Sequence, residues 1–339
     1  MIDLLPSDEQ RQIIDSVADF FARTGPASSV PSPNDDGSAA VLVRQEMAAL
    51  GWFGLGLAEA DGGIGCSLIE EMLVAREFGR ALASPALCAA IVAAHVAVQA
   101  GQREMLRNIL AGNLGVGVVI PAPSTDGGTS GVNLIAAQGA HLLLHWNTSG
   151  AGLYERDAFA RSTIGTSLDE TVGFERVAQT IMQPVAWVSS AESSLPSRAG
   201  LLICAQLVGI AEAAKDLAVA YAKVREQFGQ PIGAFQAIKH ACAEMAVRCE
   251  AAYAQTFFAG LSAGGGLPDA GFQYAAAGLL APDAALRNAR MGIQIHGGIG
   301  FTSDCLAHRY LKRAHLLNWL TMPARAFRAM CIAADPICA

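Results

Sequence analysis

The stretch Arg225-Glu226-Gln227-Phe228-Gly229-Gln230-Pro231-Ile232-Gly233-Ala234-Phe235-Gln236 joins two long proline-free segments, Leu201 to Glu226 and Ala234 to Gly260. Apolar residues recur in both every three or four positions, the spacing of helices with one buried face. Gly229 and Pro231 force a turn between them, so one helix ends near Arg225 and the next starts near Ala234. The bend presents an arginine fork and a glutamine at one end of a helical bundle. Taken locally, it is either an ordinary helix connection with a surface arginine or a place where a guanidinium grips a phosphate bidentately.

Downstream, Asp269 to His296 continues the helical spacing with one proline, Pro282, and runs into Gln294-Ile295-His296-Gly297-Gly298-Ile299-Gly300-Phe301. Three glycines in four positions let a backbone approach a ligand and expose N–H donors. A plain helix cap is the alternative. No strand precedes these glycines, so they are not a dinucleotide fingerprint. His296 by itself is a packed or capping histidine. Long helices of this kind bury their apolar faces as a bundle.

Upstream the character changes. Between about Val116 and Ser193, short apolar or β-branched runs (Val116 to Ile120, His141 to His145, Thr180 to Val188) alternate with Gly, Ser, Thr and Asp clusters. That pattern predicts a compact β domain. Before it, Ser7 is a candidate N-cap for a helix bearing Ile13, Ile14, Val17, Phe20 and Phe21. Pro26 to Gly37 reads as a loop, Ala39 to Leu50 as a helix, and Gly51 to Gly65 as a break. Helix resumes from Ser67 through Leu82, and the alanine-rich run Ala86 to Ala100 suits a buried core helix. The expected architecture is mainly α with a central small β domain: a helical domain at 1–115, a shortened β domain at 116–195 and a helical bundle at 196–339.

Composition excludes several classes. A net charge of −7 and the lack of any basic run argue against a nucleic-acid partner, which needs a cationic face. No run approaches the roughly eighteen apolar residues of a membrane span. The acidic, proline-containing start Met1 to Pro6 is unlike a signal peptide. The expectation is a cytoplasmic protein without a membrane span. Eight cysteines stand singly with no CxxC pair, which suits buried thiols and no metal site.

With Gly51-Trp52-Phe53-Gly54-Leu55, Ala58-Glu59-Ala60-Asp61-Gly62-Gly63-Ile64-Gly65 and Glu77-Phe78-Gly79-Arg80 added, the motifs in this order resemble the acyl-CoA dehydrogenases. That family carries GWxGL, PE-x-x-GG-x-G and E-x-G-R in its first domain. Its final four-helix bundle carries R-x-x-FG-x-x-I-x-x-FQ and then Q-x-x-GG-x-G. The resemblance covers nearly the whole chain and implies FAD-dependent α,β-dehydrogenation of an acyl-CoA. A carboxylate base takes the α-proton, and electrons pass on to an electron-transfer flavoprotein. It also implies that FAD crosses a subunit boundary. Arg225, Gln227, Phe228, Gln236, Gln294, Gly297 and Gly298 match the segments that reach a neighbour's pyrophosphate and adenosine.

Departures from the family pattern are as informative. The flavin signature expected after Val119 is replaced by Ile120-Pro121-Ala122-Pro123-Ser124-Thr125-Asp126-Gly127-Gly128, without its Glu or Ser-Asp pair. Trp146-Asn147-Thr148 is the nearest fragment to the segment that lies against the flavin. The run Arg309-Tyr310-Leu311-Lys312-Arg313-Ala314 matches R-x-x-R-D-A and puts Thr321 where glutamate is expected. The alternative base position falls near Ala199 and Gly200, again without a carboxylate. No catalytic residue is therefore assigned.

The resemblance then points to a base-lacking subunit that pairs with a full-length acyl-CoA dehydrogenase, similar to the α2β2 heterotetramers of bacterial steroid side-chain breakdown. The rival readings are a homomeric dehydrogenase with a relocated base (Glu192, Glu212, Glu244 or Asp304), a scaffold paralogue that does not touch cofactor, and an acyl-CoA oxidase.

Overall fold

A computed structural model of the chain describes residues 4–24, 38–123, 129–159, 162–178 and 183–334. The expected loop Pro26–Gly37, the stretch Ser124–Gly128, the start of the expected strand at Thr180 and Cys338 lie outside the described residues.

The chain is mainly helical around a central β segment. Among the described residues five α-helices come first: α1 (Asp8–Thr24), α2 (Ser38–Ala49), α3 (Leu68–Arg80), α4 (Ala86–Gln99) and α5 (Arg103–Leu110). Seven strands follow: β1 (Val116–Pro123), β2 (Thr129–Ile135), β3 (Leu142–Asn147), β4 (Gly150–Glu155), β5 (Ser162–Ile164), β6 (Phe174–Val177) and β7 (Ala186–Ser189). Then come α6 (Leu195–Val224), a two-residue hairpin of β8 (Glu226–Gln227) and β9 (Gln230–Pro231), α7 (Gln236–Gly264), α8 (Ala270–His296), α9 (Ala307–Leu320) and α10 (Ala324–Ala333).

Local chemistry explains the helix starts. The Gln10 amide donates to Ser7 Oγ at 3.2 Å while the Ser7 amide donates to Gln10 Oε1 at 3.0 Å, a reciprocal cap. Ahead of α3 the Ser67 amide donates to Glu70 Oε2 at 2.8 Å and the Ile69 amide donates to Ser67 Oγ at 3.1 Å. The helix expected to run from Ser67 through Leu82 and beyond instead stops at Arg80, because Leu82 takes a left-handed φ of 55° and Pro85 follows. Pro282 lies inside α8 without ending it.

Contacts divide the described residues into two units. One comprises 4–24, 72–83 and 200–334; the other comprises 38–71 and 84–199.

In the first unit, α3 and α6 touch backbone to backbone. A Cβ at Gly79 would collide with the Gln206 carbonyl, and one at Gly209 with the Arg76 carbonyl. This close approach puts Arg76 Nε 2.8 Å from Glu212 Oε2, Arg80 Nη1 3.2 Å from the same oxygen, and Arg80 Nη2 2.9 Å from Asp216. Within the bundle, the buried Asn288 of α8 donates to the Ala211 carbonyl of α6 at 3.1 Å and the Met245 carbonyl of α7 at 3.0 Å. Its oxygen accepts from Arg248 Nε at 2.8 Å. Helix α8 also packs along α9 and α10.

The second unit holds the seven-stranded sheet, ordered β5-β6-β2-β1-β3-β4-β7, with β1 and β3 parallel and the other neighbours antiparallel. Val119, Val132, Leu134, Leu143, Tyr154, Phe159 and Val177 form a core on it. Helix α4 packs along β1, β3, β4 and β7, and its alanines allow that approach. The expected runs at 116–120 and 141–145 are strands, whereas β2, β4, β5 and β6 were not anticipated. Gly131, Gly150 and Gly152 interrupt the apolar alternation there, and β6 reads Phe-Glu-Arg-Val.

The C-terminal end of α3 is held by α9. The Tyr310 hydroxyl donates to the Arg80 carbonyl at 3.1 Å, and Arg313, only 2% exposed, donates through Nη1 to the carbonyls of Leu82 (2.7 Å) and Ala83. Arg313→Met removes those donors while keeping much of the volume. It is expected to lower unfolding stability by about 3 kcal/mol, since buried carbonyls lose their partners. A urea midpoint unchanged from wild type would contradict this.

Candidate functional site

One end of the bundle gathers the residues singled out by sequence. Ala218 and Ala222 of α6, Met245 of α7 and Ile295 of α8 form a small core, joined by Ile232, Ile238 and Met291. Tyr221 stacks on His296 with ring centroids 4.4 Å apart, tying the end of α6 to the end of α8. The Ile232 amide donates to the Arg225 carbonyl at 2.7 Å and closes the intervening hairpin. Arg225, Gln227, Phe228, Gln236, Gln294, Gly297 and Gly298 therefore share this end, and all seven are exposed.

The hairpin tip is Phe228-Gly229, with φ of 55° and 79°. Two consecutive left-handed residues make the tight turn favoured between short antiparallel strands. Glycine adopts that region freely; phenylalanine is strained there. Phe228 is nevertheless 92% exposed and touches Phe235 edge-on at 6.1 Å. Three other large apolar side chains at this end are also open to solvent: Val224 (76%), Ile299 (45%) and Phe301 (73%).

The polar groups at this end are mostly unused by the fold. Gln227 Nε2 donates to the Glu226 carbonyl at 2.8 Å. The side chains of Arg225, Gln236 and Gln294 make no hydrogen bond or ion pair with any described residue. Gly297 sits at φ 66°, ψ −142°, a conformation essentially restricted to glycine. A Cβ on Gly298 would meet nothing within 4 Å, so packing within the chain does not require glycine there. Gly300 is different: its Cβ would press on the Ile293 carbonyl at 2.9 Å. His296 is buried, and its Nδ1–H donates to the Gly292 carbonyl at 2.7 Å. That makes it a packing residue, in line with its local reading.

Neither expected base position offers a base. Thr321 caps the end of α9, and its hydroxyl donates to the Asn318 carbonyl at 2.8 Å. Ala199 is buried, and at Gly200 a Cβ would collide with the Tyr274 ring and hydroxyl. Among the other carboxylates, Glu212 is neutralised between Arg76 and Arg80, Glu244 lies exposed 3.6 Å from Arg248, and Glu192 and Asp304 are exposed.

In the second unit, Trp146-Asn147-Thr148 forms the end of β3 and its turn. Asn147 Oδ1 accepts from the Ser149 amide at 2.8 Å, and Asn147 Nδ2 lies 3.3 Å from His145 Nε2. His145 Nδ1 lies 3.0 Å from the Val119 carbonyl, so that nitrogen carries the proton. Burial depresses the pKa of this imidazole and keeps it neutral.

Sequence reading passed over one polar cluster in the same unit. Glu71 of α3 is wholly buried; one carboxylate oxygen lies 2.7 Å from His95 Nε2, and the other accepts from Arg198 Nη1. Burial alone would raise the Glu71 carboxyl, but hydrogen bonds and charge from His95 and Arg198 outweigh it and hold it below its ordinary value. No local signal marks the cluster, because Glu71 and Arg198 are 127 residues apart.

The comparisons with known proteins agree along the chain. Residues 7–114 match the model of the acyl-CoA dehydrogenase N-terminal domain, and residues 197–321 that of the acyl-CoA dehydrogenase C-terminal domain. The acyl-CoA dehydrogenase IpdE2 of Mycobacterium tuberculosis is 30% identical over 92% of this chain and 92% of its own length. The acyl-CoA dehydrogenase FadE34 of the same organism is 35% identical over 79% of this chain, which spans 38% of that relative's length. Among solved structures, the ChsE4-ChsE5 complex from Mycobacterium tuberculosis has a chain of the same fold. Its TM-score is 0.77 at 19% identity, covering 99% of this chain and 100% of that one.

Two predictions follow from this geometry. Phe228→Gly relieves the left-handed strain without uncovering core, so thermal unfolding should shift upward, by the equivalent of about 1 kcal/mol; a clear loss of stability would mean that the Phe228–Phe235 contact outweighs the strain. Glu71 has a depressed pKa in the fold, so its contribution is present above its unfolded pKa and disappears as pH falls through the lower folded value. The stability gap between wild type and Glu71→Gln should accordingly narrow as pH drops through and below the carboxylate range, and a pH-independent gap would refute the assignment.

Proposed function

The chain belongs to the acyl-CoA dehydrogenase family, and from that premise we propose that it is the base-lacking subunit of a heteromeric, FAD-dependent enzyme. The bundle 196–339 would lend Arg225, Gln227, Phe228, Gln236, Gln294, Gly297 and Gly298 to FAD held mainly by a full-length acyl-CoA dehydrogenase partner. The helical segment 1–115 and the shortened β segment 116–195 complete the subunit. One observation carries this reading. At a single end of the bundle, an arginine and two glutamines without a partner among the described residues stand with an open glycine loop and exposed Val224, Phe228, Ile299 and Phe301.

The donor set suits the proposed cofactor. An arginine fork matches the oxygens of a pyrophosphate, and carboxamides serve ribose and adenine edges. A glycine without a Cβ neighbour lets the ligand reach the backbone. When bound, FAD supplies the two-electron acceptor for α,β-dehydrogenation of an acyl-CoA. The partner supplies the carboxylate base, since the Thr321 hydroxyl is engaged with the Asn318 carbonyl and cannot take a proton near neutral pH. The exposed apolar rim would be covered by the partner, excluding water from the ionic contacts and strengthening them. We further propose a heterotetramer acting on a steroid side-chain CoA thioester, with an electron-transfer flavoprotein as acceptor. A cytoplasmic setting is supported by seven free cysteines among the described residues.

The visible flavin spectrum of the chain, alone and copurified with a full-length partner, tests this reading. The lone chain should be colourless and the complex yellow, bleaching with acyl-CoA. A yellow lone chain that bleaches with acyl-CoA would sink the proposal in favour of a relocated base. Within the complex, Arg225→Ala should weaken FAD retention at least tenfold, roughly the loss of one charge-assisted contact; unchanged flavin content would point to a scaffold.

A further inference from the structure

We infer that Arg198 is the recognition point of a small carboxylate-binding site in the second unit, independent of the flavin reading. The inference begins with an unusual investment of buried polarity. Glu71 has no exposed surface, yet it is held ionised by His95 of α4 and by Arg198 in the first turn of α6. The Gly51–Gly65 loop also makes room, since a Cβ at Gly56 would collide with the Glu71 carboxylate and come 3.3 Å from Arg198 Nη1. Burying an ion pair of this kind adds little to stability compared with apolar packing. What it does achieve is to orient one guanidinium.

That guanidinium is only half used. Nη1 is committed to Glu71, while Nε and Nη2 have no partner among the described residues. The side chain keeps 19% of its surface, so these donors are not sealed away. Nε–H and the facing Nη2–H form the side-on fork of arginine, two parallel donors that match the two oxygens of one carboxylate. Charge narrows the ligand further. Arg198 is already balanced by Glu71, and a phosphate dianion would be repelled by that buried carboxylate. A planar monoanion meets the fork at less cost, so the site takes a molecule bearing a free carboxylate.

The test uses the full-length chain and two named probes, sodium butyrate and inorganic phosphate. In the wild type, butyrate should shift the Arg198 Nε–H resonance and saturate it, with phosphate binding more weakly. Arg198→Lys keeps a cation beside Glu71 but removes the fork, and should weaken butyrate binding at least tenfold as measured by calorimetry. Flavin content of the complex should stay unchanged, which separates this site from the bundle end. An unmoved Nε–H resonance, equal butyrate affinity in Arg198→Lys, or tighter binding of phosphate than of butyrate would each overturn the assignment.

Discussion

The first unit rests on the contact between the backbones of α3 and α6. Gly79 and Gly209 each face a carbonyl of the other helix, and no side chain fits at either position. Because the helices lie so close, Arg76 and Arg80 reach Glu212 and Asp216 directly. The end of α3 is then brought under α9, where Tyr310 and Arg313 occupy its last carbonyls. The Glu77-x-Gly79-Arg80 motif thus has an architectural role in this chain. Glu77 shows the cost: burial pushes its carboxyl upward against the lowering effect of Arg76 and Arg80.

Polar side chains among the described residues differ in how the fold uses them. Asn288, His145, His296 and Glu212 find their partners inside the fold and define helix register, strand ends and crossings. Arg225, Gln236, Gln294 and the Nε and Nη2 of Arg198 have no such partner among the described residues. Arg225, Gln236 and Gln294 are exposed and so open to a ligand, as the proposed cofactor role requires. At the two expected base positions, the space at Gly200 belongs to Tyr274 and Thr321 ends a helix.

Phe228 shows how strain fits this pattern. A phenylalanine in the left-handed region is strained, and this one leaves its ring almost fully in water. Covering the ring removes its exposure, and the contact then offsets the backbone strain, which remains. An exposed and strained aromatic beside exposed polar donors supports the subunit contact proposed above.

Much of the fold was legible in the sequence because its signals are short in range. Helical spacing marked α6, α7 and α8 to within a few residues, apart from the start of α6 at Leu195; Ser7 announced α1; and Gly229 with Pro231 announced the turn that carries Arg225. Capping, turn chemistry and apolar periodicity act over three to seven residues, so residue order suffices to show them. The β segment was read less well, since glycines within β2 and β4 break the alternation that marks a strand. The sequence by itself thus determined the order of the helical, β and bundle segments, the turn that carries Arg225 and the motifs that identify the family. Tertiary structure alone decided that Gly79 and Gly209 interlock, that Tyr274 fills the place beside Gly200, and that Glu71 and His95 aim Arg198. Those outcomes depend on volume and charge shared between residues far apart in the chain, 136 positions for Arg76 and Glu212, and no local pattern encodes a distance across a core.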